Sequence, residues 1–274
     1  MFSRLPLIAL ALSLSLPFAA QAHRVWIVPA ATVLSGDDPW VTFDAAVSND
    51  IFHTDYRALP TDNLQVLGPD ARPVALVNAY SGRFRSSFDL QLATKGTYKV
   101  FMASHGLSAS WTENGERRGW PGRGQAFDPA AFSKAVPAKA ENLVITRSSR
   151  RIETFVTSGA PTEEALAVTG LGLELKPLTH PNDLFAEEPA TFQLLIDGKP
   201  AEGAEVTVLP EGMRYRNEQE AIDITTDADG RFSLTWPRAG RYFLEAGYQD
   251  DRADPPATRR RGSYTATFEV LPAL

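Results

Sequence analysis

Two stretches of the chain share one register: Phe88-Asp89-Leu90-Gln91-Leu92-Ala93-Thr94-Lys95-Gly96-Thr97-Tyr98 and Phe232-Ser233-Leu234-Thr235-Trp236-Pro237-Arg238-Ala239-Gly240-Arg241-Tyr242. In each, a phenylalanine opens a run of alternating residues, a glycine follows at the same offset, and a tyrosine stands two residues after the glycine. Alternation with period two marks a strand with one buried face. The glycine marks the turn. A tyrosine near the start of the returning strand plugs one end of a β-sandwich core while its hydroxyl finds a backbone partner. The repeat predicts an all-β fold of two sandwiches in tandem.

The text around each copy agrees. Before the first come Val25-Trp26-Ile27-Val28, the turn Ser35-Gly36-Asp37-Asp38-Pro39, an alternating run over 40–47, Leu64-Gln65-Val66-Leu67 and a strand over 74–79. Strands follow over 83–92 and 97–103, and Arg151-Ile152-Glu153-Thr154-Phe155-Val156-Thr157 brings the chain back to the first sandwich. A strand over 171–178 ends at Thr179-His180-Pro181-Asn182-Asp183, which places the domain boundary at 180: residues 23–180 form the first sandwich and 181–274 the second. The stretch 111–124, rich in glycine, charge and tryptophan, reads as a long surface loop inserted into the first. Residues 127–135 read as a short helix, with Asp128 as N-cap and Pro129 at the first helical position.

Residues 1–22 have the layout of a cleaved secretory signal peptide: Arg4 near the start, an apolar run over 5–20, and Ala20-Gln21-Ala22 at the end. The run is too short for a spanning helix. Export to the periplasm is the expectation. Net charge is −6, and loss of Arg4 makes it more negative, which argues against nucleic acid as a partner. The clusters Arg147-Ser148-Ser149-Arg150-Arg151 and Arg259-Arg260-Arg261 read as solvated loop or edge-strand charge. There is no cysteine, so neither a disulfide nor a thiolate ligand is possible.

Cleavage after Ala22 leaves His23 as the first residue, whose α-amine and imidazole can close a chelate ring on one metal ion. Without cysteine, a transition-metal site must use imidazole, amine and carboxylate, which suit nickel, copper(II), cobalt and zinc; nickel, cobalt or copper is the expected ion. The candidate ligands are His23, His105 and His53, with Asp50 or Asp55 as an oxygen ligand or as an acceptor behind a histidine. His180, between Thr179 and Pro181, is left out.

The segment Asp197-Gly198-Lys199-Pro200-Ala201-Glu202-Gly203-Ala204-Glu205-Val206-Thr207-Val208, followed by Thr226-Asp227-Ala228-Asp229-Gly230-Arg231-Phe232, resembles the carboxypeptidase-regulatory-like, prealbumin-type sandwich. In that module Asp227 and Asp229 serve turn geometry rather than calcium. Over residues 22–270 the order of motifs is similar to a family of exported bacterial proteins described as the periplasmic component of nickel and cobalt uptake systems. Its marks are Ala22-His23 with Trp26, Ser48-Asn49-Asp50-Ile51-Phe52, Glu174-Leu175-Lys176-Pro177-Leu178 and Ala239-Gly240-Arg241-Tyr242. The resemblance implies two Ig-like or prealbumin-like sandwiches and exported metal handling, with a membrane transporter or outer-membrane receptor as partner.

No G-x-S-x-G elbow or H-E-x-x-H pair occurs, so a non-enzymatic role is the expectation. A non-catalytic scaffold or protein-interaction module is the alternative. A third reading is a copper-dependent oxidative enzyme acting on polysaccharide, with Trp111 and Trp120 as sugar-stacking residues.

Overall fold

The computed structural model describes residues 23–122, 125 and 127–273; the expected leader, residues 1–22, lies outside them. The described residues begin with β1 (Arg24–Pro29), β2 (Val33–Leu34), β3 (Trp40–Ser48), β4 (Arg57–Ala58), β5 (Gln65–Leu67), β6 (Val77–Ser81) and β7 (Ser86–Gln91). Next come β8 (Gly96–Glu113), β9 (Glu116–Trp120), α1 (Pro129–Ala135), β10 (Glu141–Ser158) and β11 (Leu173–Pro177). The last part holds β12 (Pro189–Ile196), β13 (Lys199–Pro200), β14 (Glu205–Pro210), β15 (Ile222–Thr225), β16 (Arg231–Thr235), β17 (Gly240–Asp250) and β18 (Arg259–Val270).

These strands form three sheets. The first is β1-β3-β7-β6 with β4 beside β3, and the third is β11-β12-β13 with β16 beside β12. Between them runs a nine-stranded sheet, β15-β14-β17-β18-β10-β8-β5, with β2 on β10 and β9 on β8. The fold is all-β and has two sandwich cores, as the repeat predicts. Phe88 stacks on Phe43 at 4.9 Å in the first core, and Phe232 stacks on Phe192 at 5.6 Å in the second. The Tyr98 hydroxyl donates to the Thr94 carbonyl and accepts from the Thr94 amide, both at 2.9 Å, and the Tyr242 hydroxyl donates to the Arg238 carbonyl at 2.8 Å. Gly96 has φ +127° and Gly240 φ +140°. A Cβ at Gly96 would stand 2.7 Å from that of Pro69, so both the positive φ and this close approach require a glycine at the turn.

The two cores are not independent. β10 pairs in parallel with β18, from Thr146 opposite Arg259 to Thr154 opposite Thr267, so strands from both halves of the chain make one sheet. Along β10, Ile152 and Val156 enter the first core while Phe155 enters the second. β1 is shared in the same way: Ile27 belongs to the first core, whereas Trp26 and Val28 pack with Leu209 and Phe243 of β14 and β17. The expected boundary at 180 falls too late, because β11 pairs with β12 and its Leu173 and Leu175 lie in the second core. The stretch 111–124 is no simple loop either. β8 continues to Glu113 and turns through Asn114 (φ +52°) and Gly115 (φ +79°) into β9, the Asn-Gly hairpin whose backbone twist suits paired strands. Trp111 is buried beneath α1, in a cluster with Val136 and Ile145 that Trp120 and Phe132 flank. The helix stands as expected, its Asp128 side chain accepting the Ala130 amide at 2.9 Å.

On the second-core side of β10 lies a buried charge cluster. Arg151, 4% exposed, contacts Glu153 at 3.1 Å and Glu174 at 3.0 Å, which are 3% and 2% exposed. Glu174 also accepts the backbone amides of Thr169, Gly170 and Leu171, and Tyr264 donates to Glu153 at 2.8 Å. Lys99 donates to the Ala167 carbonyl at 3.2 Å, and burial holds its pKa below the usual lysine value. The arginine expected as solvated loop or edge-strand charge is instead buried, and it fixes the connection before β11 to the shared sheet. Removing it would strand two buried carboxylates, a loss of about 3–5 kcal/mol. Arg151→Met is expected to lower the unfolding free energy measured by urea titration by that amount, whereas Arg117→Met on exposed β9 changes it by less than about 0.5 kcal/mol; equal effects would refute the role of the cluster.

Candidate functional site

The five candidate ligands do not converge. His23 is exposed just before β1, and its ring stacks on Tyr56 with centroids 3.8 Å apart and an interplanar angle of 22°. The β1–β3 register sets Arg24 opposite Ser48, which brings His23 beside the loop that carries Asn49, Asp50, His53 and Asp55. In that loop the Asp55 carboxylate accepts the Asn49 backbone amide at 2.9 Å and its side-chain amide at 3.4 Å. The His53 Nε2 is engaged by Arg214. The Asp50 carbonyl accepts the Ser48 hydroxyl at 2.6 Å.

His105 sits on β8, not in a loop, directly opposite Ser149 of β10. A Cβ placed on Gly172 would lie 2.5 Å from the Ser149 Cβ and 3.0 Å from the His105 Cε1, so both side chains point toward the second core. The next residue, Arg150, points to the opposite face, and there it lines a cavity with His23. The shared sheet thus separates His105 from His23. Among the described residues no group of three His, Cys, Asp or Glu side chains is placed to hold a metal ion. Neither ring nitrogen of His23 has a hydrogen-bond partner among them.

What His23 does adjoin is an open groove on the outer face of the shared sheet. Three neighbouring cavities of about 360, 440 and 480 Å³ meet there, all lined by Arg261; Arg150 and Ser263 line two of them, as do Glu205 and Gly247. Arg24 reaches Glu245 at 3.2 Å at the His23 end, and Ser104, Gly106 and Ser148 floor the other end. Arg150 and Arg261 are exposed, and among the described residues neither has a carboxylate within ion-pair distance. Arg24, Arg147, Arg252 and Arg259 nearby all have one. Both arginines belong to the clusters that the sequence presents as solvated loop or edge-strand charge. The alternation Ser104-His105-Gly106-Leu107-Ser108-Ala109-Ser110-Trp111, small and polar on one face and apolar at 107, 109 and 111 on the other, was the legible sign that β8 extends under this surface.

His180 is structural. Its Nε2 lies 3.0 Å from the Thr97 hydroxyl and 3.2 Å from the Thr162 carbonyl, and its Nδ1 accepts the Asn182 amide at 3.1 Å. Asn182 in turn donates to the Phe155 carbonyl at 3.0 Å and accepts from Thr157 at 2.8 Å. Burial lowers the His180 pKa below its ordinary value.

Fold and surface together define an all-β protein of two sandwich cores fused through one sheet, with an open polar groove beside His23. The chain belongs to the family of the domain of unknown function DUF4198, whose model matches residues 20–250. No curated protein matches it. Among solved structures it is similar to the D0–D1 domains of intimin, at 14% identity over 89% of this chain and 97% of that one, with a TM-score of 0.23. A DUF3823 family protein from Bacteroides uniformis matches at 11% identity over 92% of this chain and all of that one, with a TM-score of 0.26. A Salmonella alpha-2-macroglobulin mutant matches at 12% identity over 89% of this chain and 14% of that one, with a TM-score of 0.24. At these scores the likenesses carry no functional argument.

The geometry of His180 gives a pH dependence. Near pH 6 the unfolded chain binds a proton that folded His180 does not, so stability falls as pH drops through the unfolded pKa of about 6.5. Thermal unfolding of the wild type is expected to lose more between about pH 7.5 and 5.5 than that of His180→Gln, which has no titrating ring. Identical losses in the two proteins would show that the ring does not contribute.

Proposed function

We propose that this is an exported, non-catalytic binding protein that takes up a transition-metal ion, nickel, cobalt or copper, with His23 as the anchoring ligand. The observation that carries this reading is the state of the His23 ring: exposed at the mouth of the groove, packed against Tyr56, with both nitrogens unengaged among the described residues. The leader-like composition of residues 1–22 supports a mature chain that starts there, which adds an α-amine to the imidazole. His23 then supplies two donors from one residue, which suits copper and nickel. His53 and Asp55 have other partners, and His105 lies across the sheet, so the ion would bind as cargo with part of its coordination open to solvent or to a carrier. A periplasmic location and delivery to a membrane transporter or outer-membrane receptor follow from the same reading.

The sugar-oxidising alternative loses its aromatic platform, because Trp111 is buried and Trp120 packs edge-on against Phe127 and Phe132. Equilibrium dialysis of a chain beginning at His23 is expected to retain about one equivalent of nickel or copper, and a chain with one alanine before His23 is expected to lose most of it. If neither form retains metal, the protein is a docking or scaffold module and the cargo reading fails.

A further inference from the structure

We infer that the groove beside His23 is a binding site for a small polycarboxylate anion, held by Arg150 and Arg261. This goes beyond the metal reading and does not depend on it. The two arginines stand on adjacent strands, β10 and β18, and both line the cavities of the outer face. The parallel register sets Ser148 opposite Arg261 and Arg150 opposite Ser263, so the arginines are diagonal neighbours with a serine beside each. A strand spacing near 4.8 Å and a two-residue step of about 6.6 Å separate their Cα atoms by about 8 Å. Two carboxylates of one small molecule span such a distance between guanidinium groups.

The donor set is selective. Each guanidinium is a planar fork that matches a carboxylate bidentately, and it remains charged at every physiological pH. Ser104 and Ser148 add hydroxyl donors, the Ser263 hydroxyl donating to the Ser149 carbonyl at 3.5 Å, and Gly106 and Gly247 keep the floor low. Glu202, Glu205, Glu245 and Asp250 line the far side; Glu245 is engaged by Arg24 and Asp250 by Arg252 and Arg260, and Glu205 is two strands from Ser263 across Gly247. These acids confine an anion to the β8–β10–β18 part of the groove. They also disfavour a compact, densely charged ligand near β14. The surrounding arginines are neutralised locally, so an anion entering the groove meets two uncompensated cations rather than a diffuse basic patch.

The test uses the chain beginning at His23, stripped of metal on a chelating resin, with citrate as the probe in isothermal titration calorimetry at low ionic strength. One citrate per chain is expected. Arg150→Gln and Arg261→Gln should each weaken it by about tenfold, and the double variant should abolish it. Arg147→Gln, whose guanidinium is paired with Asp254, should leave it unchanged. Added salt should weaken binding in the wild type. The inference is overturned if citrate does not bind, if the double variant binds as well as the wild type, or if inorganic phosphate binds more tightly than citrate. Because the protein is metal-free throughout, failure here leaves the nickel and copper result standing, and failure there leaves this one.

Discussion

The double burial of β10 is the constraint on which the rest of the molecule rests. A strand covered on both faces must satisfy two cores at once, and its alternate side chains do so: Ile152 and Val156 on one side, Phe155 on the other. The parallel ladder to β18 leaves no edge between the halves of the chain. The cost falls at Arg151 and Glu153, charged residues forced inward by the same alternation. It is offset by placing Glu174, three backbone amides and Tyr264 around them.

The groove is a by-product of that arrangement. The first sheet covers one end of the nine-stranded sheet on its outer face, and the third sheet covers the opposite face, offset along it. The outer face beyond β1 is left open, and it is populated by serine, glycine and arginine rather than by the apolar residues that fill the cores. His23 stands at the margin because β1 runs along the edge of this opening, with the Thr265 hydroxyl donating to the Val25 carbonyl at 3.2 Å. The start of the proposed mature chain and an uncovered polar surface thus meet without any dedicated loop.

The Phe-Gly-Tyr repeat was enough to specify the class of fold and the two cores, because each element of it has a local physical cause: alternation, a positive-φ turn, and a hydroxyl that bonds a carbonyl four residues back. The helix at 129–135 was legible for the same reason, its Asp-Pro start being a local signal. The Asn114-Gly115 hairpin was equally local and was missed because glycine and charge around it suggest a loop. His23 stands just before β1, and the β1–β3 register sets it beside the loop of Asp50, His53 and Asp55, a neighbourhood that depends on strand pairing rather than on any local signal.

Sequence alone determined that the chain makes two tyrosine-closed sandwiches, since those signals act over a few residues. Only the tertiary structure decided that the sandwiches share a sheet, that His105 faces away from His23, and that Arg150 and Arg261 stand side by side. Those facts depend on the pairing of β10 with β18, more than a hundred residues apart. Pairing at that separation is set by the summed burial of both cores, and no short stretch of residues encodes it.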